Sequence, residues 1–380
     1  MRANDNAAAP GQHSAPDFIP GIELSSAFYT EIVAPILAEA YPRLGYAAAL
    51  IGYGSEVLGY DTARSTDHEW GPRMLLLVSD DDYARHAEAI EALLGQRLPP
   101  TFRGFSTHFA PPSADGVQQP APSTSGPIAH KIPVYPLRGL LTHWLGVDPF
   151  GALTVVDWLL MPQQKLLEVT AGRVFHDGLG ELEPVRATLA SYPPDVWRYL
   201  LAAQWTRISQ QEAFVGRAGE VGDDVGSAII AAALVRDLMG LCFLLERRYA
   251  PYSKWFGTAF AELGCARWLM PLIPEVLRAA SWRERDAALA PAYELVAGLH
   301  NALGITVPVD PHVRFYHGGR PFQVIHAERF AEVLVATIED PEVRAIVQRA
   351  GLIGSADQIS DNVDVISNPE RVAKLRALYG

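Results

Sequence analysis

Apolar positions in the first half of the chain follow two kinds of spacing. An apolar face at helical spacing covers residues 28–40 and ends at Pro42. Short apolar runs bounded by turn residues are typical of strands, and they occur at 47–51, 74–78, 101–109, 131–135 and 173–176. Acidic residues at 80–82 predict the cap of a helix that runs to Leu94. Residues 137–167 are mostly helical in pattern, so this half is predicted to form a sheet with flanking helices.

Helical spacing dominates from about Glu181 onward, with few strand signals. The predicted helices cover 196–209, 225–249, 255–263 and 284–303. Such a run of amphipathic and apolar helices is typical of a helical bundle. After Gly304, the pattern predicts a short hairpin (313–315 with 322–325) and two more helices. The sequence therefore predicts an α+β protein.

These patterns predict four segments. A leader rich in Ala, Asn and Pro is expected to be disordered, because it has too few apolar residues to form a core. A loop dense in Pro, Ser, Gly and Ala, long enough to act as a lid, interrupts the second segment. The segments are a leader (1–24), a sheet domain (25–180, with the loop at 111–127), a helical bundle (181–305) and a C-terminal extension (306–380).

Composition and charge exclude several classes of protein. The chain has 380 residues and a formal net charge of -12, which argues against a general nucleic-acid binder, since such proteins neutralise phosphates with a basic face. Its two cysteines, Cys242 and Cys265, cannot form a disulfide framework and are predicted to be buried thiols. Residues 1–20 do not resemble a signal peptide, and Arg236 and Asp237 interrupt the most apolar stretch. We expect a cytoplasmic protein that does not span a membrane.

The segment 54–73 carries the candidate chemistry. Gly54 and Ser55 follow a predicted strand, where a turn into a helix can present backbone N–H groups to a phosphate. Asp67 and Glu69 are two residues apart, so an extended backbone would place both carboxylates on one side, about 7 Å apart. Paired carboxylates of this kind are ligands that Mg²⁺ accepts together with water and substrate phosphates. His68 would then point to the opposite face.

This spacing resembles that of the DNA polymerase beta-like nucleotidyltransferase superfamily, in which a Gly-Ser turn precedes an acid-x-acid pair by about ten residues. Residues 67–73 read DHEWGPR and are similar to an uncharacterised bacterial subfamily, as are residues 174–178 (VFHDG) and 248–255 (RYAPYSKW). With these later segments, the resemblance covers most of the chain. It implies a mixed sheet with flanking helices, a helical C-terminal domain and transfer of a nucleoside monophosphate.

The resemblance implies a role for each site residue. Gly54 and Ser55 would bind the triphosphate, while Asp67 and Glu69 would be the catalytic carboxylates and would hold Mg²⁺. Arg73 could neutralise phosphate charge, and Lys254, from the helical domain, could reach a phosphate across the cleft. The expected partners are a nucleoside triphosphate and a small-molecule or protein acceptor with a hydroxyl group; the acidic net charge argues against nucleic acid.

The chain departs from the superfamily pattern in two ways. Active members commonly carry a third carboxylate on a neighbouring strand, but the strand predicted at 131–135 contains no acid, and Asp157 and Glu168 fall in helical patterns. Gly71 and Pro72 directly follow the acids, so a strand there must lie at an edge or be broken. The alternative hypothesis is therefore a non-catalytic nucleotide-binding sensor or scaffold with a degenerate metal site. An aminoglycoside-type resistance enzyme is a third interpretation, for which no drug pocket is identified.

Overall fold

Strands and helices segregate into two units of the chain. The computed structural model describes residues 16–114, 116–123 and 126–380. A sheet unit comprises Met1–Leu137 and Ala171–Glu183, and a helical unit comprises Arg138–Thr170 and Pro184–Gly380. The predicted α+β class is confirmed, because a small mixed sheet with flanking helices precedes a helix-rich C-terminal half.

The sheet unit contains a four-stranded mixed sheet and a small two-stranded one. Its strands are β1 (Tyr46–Leu50), β2 (Leu75–Val78), β3 (Thr101–Phe102), β4 (Phe105–Ser106), β5 (Val134–Pro136) and β6 (Arg173–Asp177). The order in the larger sheet is β5-β2-β1-β6. β1 is antiparallel to β2 and β6, and β2 is parallel to β5. The strand predicted at 101–109 is reduced to the two-residue pair β3 and β4.

Apolar helical faces cover this sheet, as the spacing predicted. The helices are Gly21–Phe28, Ala34–Ala40, Ser55–Leu58 and Asp80–Arg97, with a π-helical turn at Tyr29–Val33 and a 3₁₀ helix at Ala63–Asp67. Ser79, rather than an acid of the first turn, caps the fourth helix by accepting a bond of 3.1 Å from the Asp82 N–H. Their buried faces form one core with the sheet, including Phe28, Leu76 and Leu94.

The N-terminal boundary differs from the predicted leader at 1–24. A helix begins at Gly21, and Leu24 is fully buried, because its side chain joins the core under the sheet. Residues 16–20 precede that helix without regular secondary structure, and residues 1–15 lie outside the described part of the chain.

The helical unit contains most of the remaining helices and one hairpin. The hairpin pairs β7 (Arg314–His317) with β8 (Arg320–Val324), as predicted. The helices assigned wholly or mostly to this unit are Leu137–Leu145, Val155–Leu160, Gln163–Thr170, Leu182–Leu189, Pro194–Ser209, Phe214–Glu220, Asp224–Leu245, Ser253–Phe260, Ala266–Leu269, Ile273–Arg278, Trp282–Ala302, Glu328–Val335, Pro341–Ala350, Ala356–Ile359, Val363–Ile366 and Pro369–Ala373, followed by the 3₁₀ helix Lys374–Tyr379.

The sheet unit ends at Glu183, close to the domain boundary predicted at 180, but it does not include residues 138–170. Residues 138–170 belong to the helical unit, because their side chains and backbone bond within it. The Gln163 N–H donates to Asp357 at 2.9 Å, and the Gln163 side chain accepts from the Ala250 N–H at 2.7 Å. The C-terminal extension, 306–380, which was predicted to pack on the rest of the protein, also falls within this unit.

The helix Asp224–Leu245 is the most apolar element of the helical unit. Within the described residues it is the one helix with the length and mean hydropathy (2.1) of a membrane span, and 56% of that window is buried inside the protein. Asp237, near its middle, pairs with Arg207 at 2.7 Å. Trp197 donates to the Leu244 carbonyl at 2.6 Å. The helix Asp224–Leu245 therefore packs as a core helix, as predicted. Cys242 and Cys265 are both free and buried.

Candidate functional site

The Gly54 turn lies between the end of β1 and the short helix Ser55–Leu58. Gly54 has a φ of 126°, a backbone conformation that side chains rarely adopt. A β-carbon at this position would lie 2.4 Å from Arg73 Nη2 and 2.7 Å from Glu56 Oε2. Only glycine therefore fits between the turn and the side chains behind it. Ser55 begins the helix, at the position the sequence indicated.

A buried ion pair lies behind this turn. Arg73 contacts Glu56 Oε1 through Nε at 2.7 Å and through Nη2 at 2.6 Å, and each side chain is 5% exposed. Arg73 Nη2 also donates to the Tyr53 carbonyl at 2.6 Å. Arg73 therefore supports the turn in this structure through Glu56 and the Tyr53 carbonyl. Its predicted contact with phosphate stays a prediction.

Glu69 lies in front of the turn and joins it to the loop at 111–127. The Tyr53 hydroxyl donates to Glu69 Oε2 at 3.3 Å, and the Gln118 N–H donates to Oε1 at 2.6 Å. The Glu69 N–H in turn donates to the Gln118 carbonyl at 2.8 Å. Glu69 adopts a φ of 53°, which is uncommon for a residue with a side chain and which this double tie maintains. Glu69 is therefore connected to the residue before Gly54 through the Tyr53 side chain.

Lys131 supplies the positive charge in front of the turn. Its Nζ forms an ion pair with Glu69 Oε2, and the two side chains are 11% and 23% exposed, respectively. The Lys131 carbonyl accepts from the Met74 N–H at 3.2 Å, which places the residue beside the start of β2, on the chain leading into β5. Burial lowers the pKa of Lys131 to about 8, although Glu56 acts in the opposite direction. The contact with Glu69 also favours the charged ammonium.

Sequence reasoning missed Lys131 because the segment leading into β5 was searched for an acid. A signal was nevertheless present. Lys131, Pro133 and Tyr135 alternate along the predicted strand, and Lys131 is one of four lysines in the chain. The feature that the sequence did not indicate is the contact of this cation with Glu69.

Asp67 lies in a different environment from Glu69. It ends the 3₁₀ helix Ala63–Asp67, which begins with a capping box between Thr62 and Ser65. Its Oδ1 is 2.6 Å from His68 Nδ1, and the Asp67 side chain is 59% exposed. Residues 67–69 do not form a strand, because Asp67 ends a helix and Glu69 has a positive φ. The two carboxylates therefore do not lie on one face of a strand, as an extended backbone would have placed them. β2 begins only at Leu75, beyond Pro72, so the chain is broken there as proline requires.

The described residues do not fit a resident Mg²⁺ in their present arrangement. Among the residues that the structure describes, no group of three or more His, Cys, Asp or Glu side chains is placed to hold a metal ion. Both Glu69 oxygens already accept bonds, and one of them carries the Lys131 ammonium. The two acids left open as a third ligand have other partners: Asp157 pairs with Arg376, and Glu168 pairs with Lys165. Metal binding by Asp67 and Glu69 remains a prediction.

Lys254 belongs to the helical unit. It lies in the first turn of the helix Ser253–Phe260, with its Nζ 4.8 Å from the centre of the Trp255 ring. Its predicted contact with phosphate stays a prediction.

The helical unit also contains a cavity of about 410 Å³, which is bordered by Trp158, Arg198 and Glu342. The sequence did not indicate these residues.

Comparisons with known proteins support a family likeness over part of the chain. Residues 158–256 match a family described as a domain of unknown function (DUF4037). This stretch covers about a quarter of the chain; it includes β6 and lies mostly in the helical unit. No curated protein matches the chain. A solved structure, a nucleotidyltransferase-like protein from Exiguobacterium sibiricum 255-15, is similar over 83% of this chain and 89% of that one, with 10% identity and a TM-score of 0.33. The fold assignment therefore rests on the strands and helices described above.

Proposed function

We propose that the sheet unit binds a nucleoside triphosphate at the Gly54 turn, and that the protein transfers its nucleoside monophosphate to a hydroxyl of a small molecule or protein. The observation that supports the proposal is the 3.3 Å bond from the Tyr53 hydroxyl to Glu69, which connects one acid of the predicted pair to the residue directly before Gly54. A phosphate-binding turn and an adjacent acid are the parts that such a transfer requires.

The proposal assigns a role to each residue at the turn. Gly54 and Ser55 would bind the triphosphate, and the Arg73–Glu56 pair holds the turn in position. The acceptor hydroxyl oxygen would form a bond to the α-phosphorus while the bond to the pyrophosphate oxygen breaks, and pyrophosphate would leave with the electron pair. Asp67 and Glu69 are the carboxylates assigned to catalysis, and a carboxylate of this pair would accept the hydroxyl proton. Mg²⁺ is the cofactor that the superfamily resemblance implies. Because Lys131 already neutralises Glu69, no step is assigned to the ion.

A label-transfer assay tests the activity. Purified protein would be incubated with each labelled nucleoside triphosphate and Mg²⁺, with candidate small hydroxyl compounds and with the protein itself as acceptors. We expect label transfer by the wild type and its loss in the double variant Asp67→Asn, Glu69→Gln. Glu31→Gln, which removes an exposed acid of the same unit, is the matched control and should retain transfer. Transfer that survives the double change would show that these are not the catalytic carboxylates.

A second candidate is a non-catalytic nucleotide-binding protein, and the Lys131–Glu69 ion pair favours it. A lysine at this position neutralises the acid without a metal ion, as expected for a degenerate metal site. This candidate predicts saturable binding of a nucleoside triphosphate by calorimetry, with no pyrophosphate released in a parallel assay. Pyrophosphate release above that of the Asp67→Asn, Glu69→Gln variant would exclude it.

The class of acceptor and the cellular location of the protein are also proposals. The net charge of -12 favours a small-molecule or protein acceptor over nucleic acid. A cytoplasmic location agrees with two free cysteines. Fractionation of cells that produce the protein would test the location directly.

A further inference from the structure

We propose that Lys131 is the phosphate-recognising residue of this site, and that its ammonium exchanges Glu69 for a phosphate oxygen when the nucleotide binds. The inference rests on the proposed function and names the group through which the same site would take its ligand. It differs from the sequence prediction, which assigned charge neutralisation to Arg73 and Lys254.

Position is the first argument. Lys131 lies beside the start of β2, and its Nζ is 5.4 Å from the centre of the Phe109 ring. Its side chain is only 11% exposed, so the ammonium is held at the site instead of extending into solvent. Glu69, its partner, is bonded to Tyr53, the residue directly before Gly54. The ammonium therefore lies close to the turn predicted to bind phosphate.

Availability is the second argument. Arg73 is fully engaged by Glu56 and the Tyr53 carbonyl behind the turn, and 5% of its side chain is exposed. An ammonium has three donor hydrogens, and Glu69 Oε2 accepts from the Lys131 Nζ. Glu69 is 23% exposed, so a ligand can reach the pair from solvent. Lys131 can thus change its partner without uncovering a fully buried charge.

Energetics are the third argument. The Lys131–Glu69 pair is mostly shielded from water, so the desolvation of both charges largely offsets their attraction and the net contribution to stability is small. A phosphate group offers several charged oxygens and forms strong charge-assisted bonds with ammonium groups. Exchange of one carboxylate oxygen for phosphate oxygens is therefore favourable. The exchange makes Glu69 a competitor of the ligand for Lys131, and this competition can be measured.

The test is a binding experiment with four proteins in a metal chelator. Affinities for ATP and for inorganic tripolyphosphate would be measured by calorimetry, with adenosine as the probe without phosphate. The proteins are the wild type, Lys131→Met, Glu69→Gln and the control Lys165→Met. Lys165 is a matched control because it pairs with Glu168 at 2.7 Å and is similarly shielded, with 19% of its side chain exposed.

We expect Lys131→Met to weaken the binding of ATP and tripolyphosphate about tenfold to a hundredfold, the range for loss of a bond to a charged group. Glu69→Gln should strengthen metal-free binding up to about fivefold, because it removes the competitor and leaves Lys131 available. Lys165→Met should bind as the wild type does, and adenosine should not distinguish the four proteins.

Two outcomes would overturn the inference, and each is distinct from failure of the proposed function. Equal affinities of the wild type and Lys131→Met would show that Lys131 does not contact phosphate. No gain from Glu69→Gln would show that Glu69 does not compete for it, and this variant decides the matter if Lys131→Met does not fold. If the wild type binds neither ATP nor tripolyphosphate, with or without Mg²⁺, the proposed function itself fails.

Discussion

Two ion pairs flank the Gly54 turn, and they combine the same charges in different surroundings. Behind the turn, Arg73 and Glu56 are each 5% exposed, and the guanidinium also holds the Tyr53 carbonyl. In front of it, the Lys131 and Glu69 side chains are 11% and 23% exposed. The comparison teaches that burial, rather than charge, distinguishes an ion pair that stabilises the turn from one whose partners a ligand can separate.

The largest expected effect comes from breaking the buried pair. Glu56→Gln leaves the Arg73 guanidinium buried without a counter-charge, so we expect a loss of about 3–5 kcal/mol in the free energy of unfolding, measured by urea denaturation. Glu31→Gln is the control, because its pair with Arg103 is about half exposed on both sides and should be worth at most about 1 kcal/mol. Similar losses of unfolding free energy in Glu56→Gln and Glu31→Gln would show that burial does not distinguish the two ion pairs.

The next effect concerns the glycine between the two pairs. Gly54→Ala places a methyl group 2.4 Å from Arg73 Nη2 at a φ of 126°. We expect about 1–3 kcal/mol of backbone strain, together with displacement of the guanidinium. Gly59→Ala, also at a positive φ but with open space around its β-carbon, separates strain from collision. Thermal unfolding of both variants should rank Gly54→Ala as the less stable.

A buried group with no charge partner extends the comparison to the helical unit. Burial lowers the pKa of His300 to about 4, and its Nδ1 accepts a bond of 3.2 Å from Trp205. A histidine with a lowered pKa stabilises the fold fully above its ordinary pKa of 6.5, and this contribution is lost as the pH falls.

Between pH 6.5 and about pH 5, wild-type stability should therefore fall by about 2 kcal/mol more than that of His300→Gln. Urea denaturation at both pH values measures this difference. Glu212 and Asp286, whose pKa values burial raises to about 7 and about 6, act in the opposite direction, but they are common to both proteins and cancel. Parallel pH profiles would show that folding does not lower the pKa of His300.

The smallest effect on stability should come from the open pair. Lys131→Met keeps the apolar part of the side chain and leaves Glu69 bonded to Tyr53 and to the Gln118 N–H, so the free energy of unfolding should fall by about 1 kcal/mol. Thermal unfolding beside Glu56→Gln measures the contrast. A loss as large as that of Glu56→Gln would mean that the front pair also supports the fold, and the two pairs would then not differ in role.

Much of the fold could be predicted from local spacing. β1, β2 and β6, the helix Asp80–Arg97 and the long helices of the second half all lie close to their predicted positions. Each is specified by the alternation or periodicity of its own apolar residues. The assignment of residues 138–170 to the helical unit could not be predicted this way, because bonds such as that between Gln163 and Asp357 join residues 194 positions apart.

For the candidate site, the sequence by itself determined a glycine turn after β1 and two acids that follow it within one loop. Those features depend on residue type and short spacing, which a chain displays directly. Only the tertiary structure decided that Arg73 supports the turn, that Lys131 neutralises Glu69 and that Asp67 lies apart with His68. The reason is that burial and partners arise from contacts between distant residues, and the same charged side chain acts differently once packing determines what surrounds it.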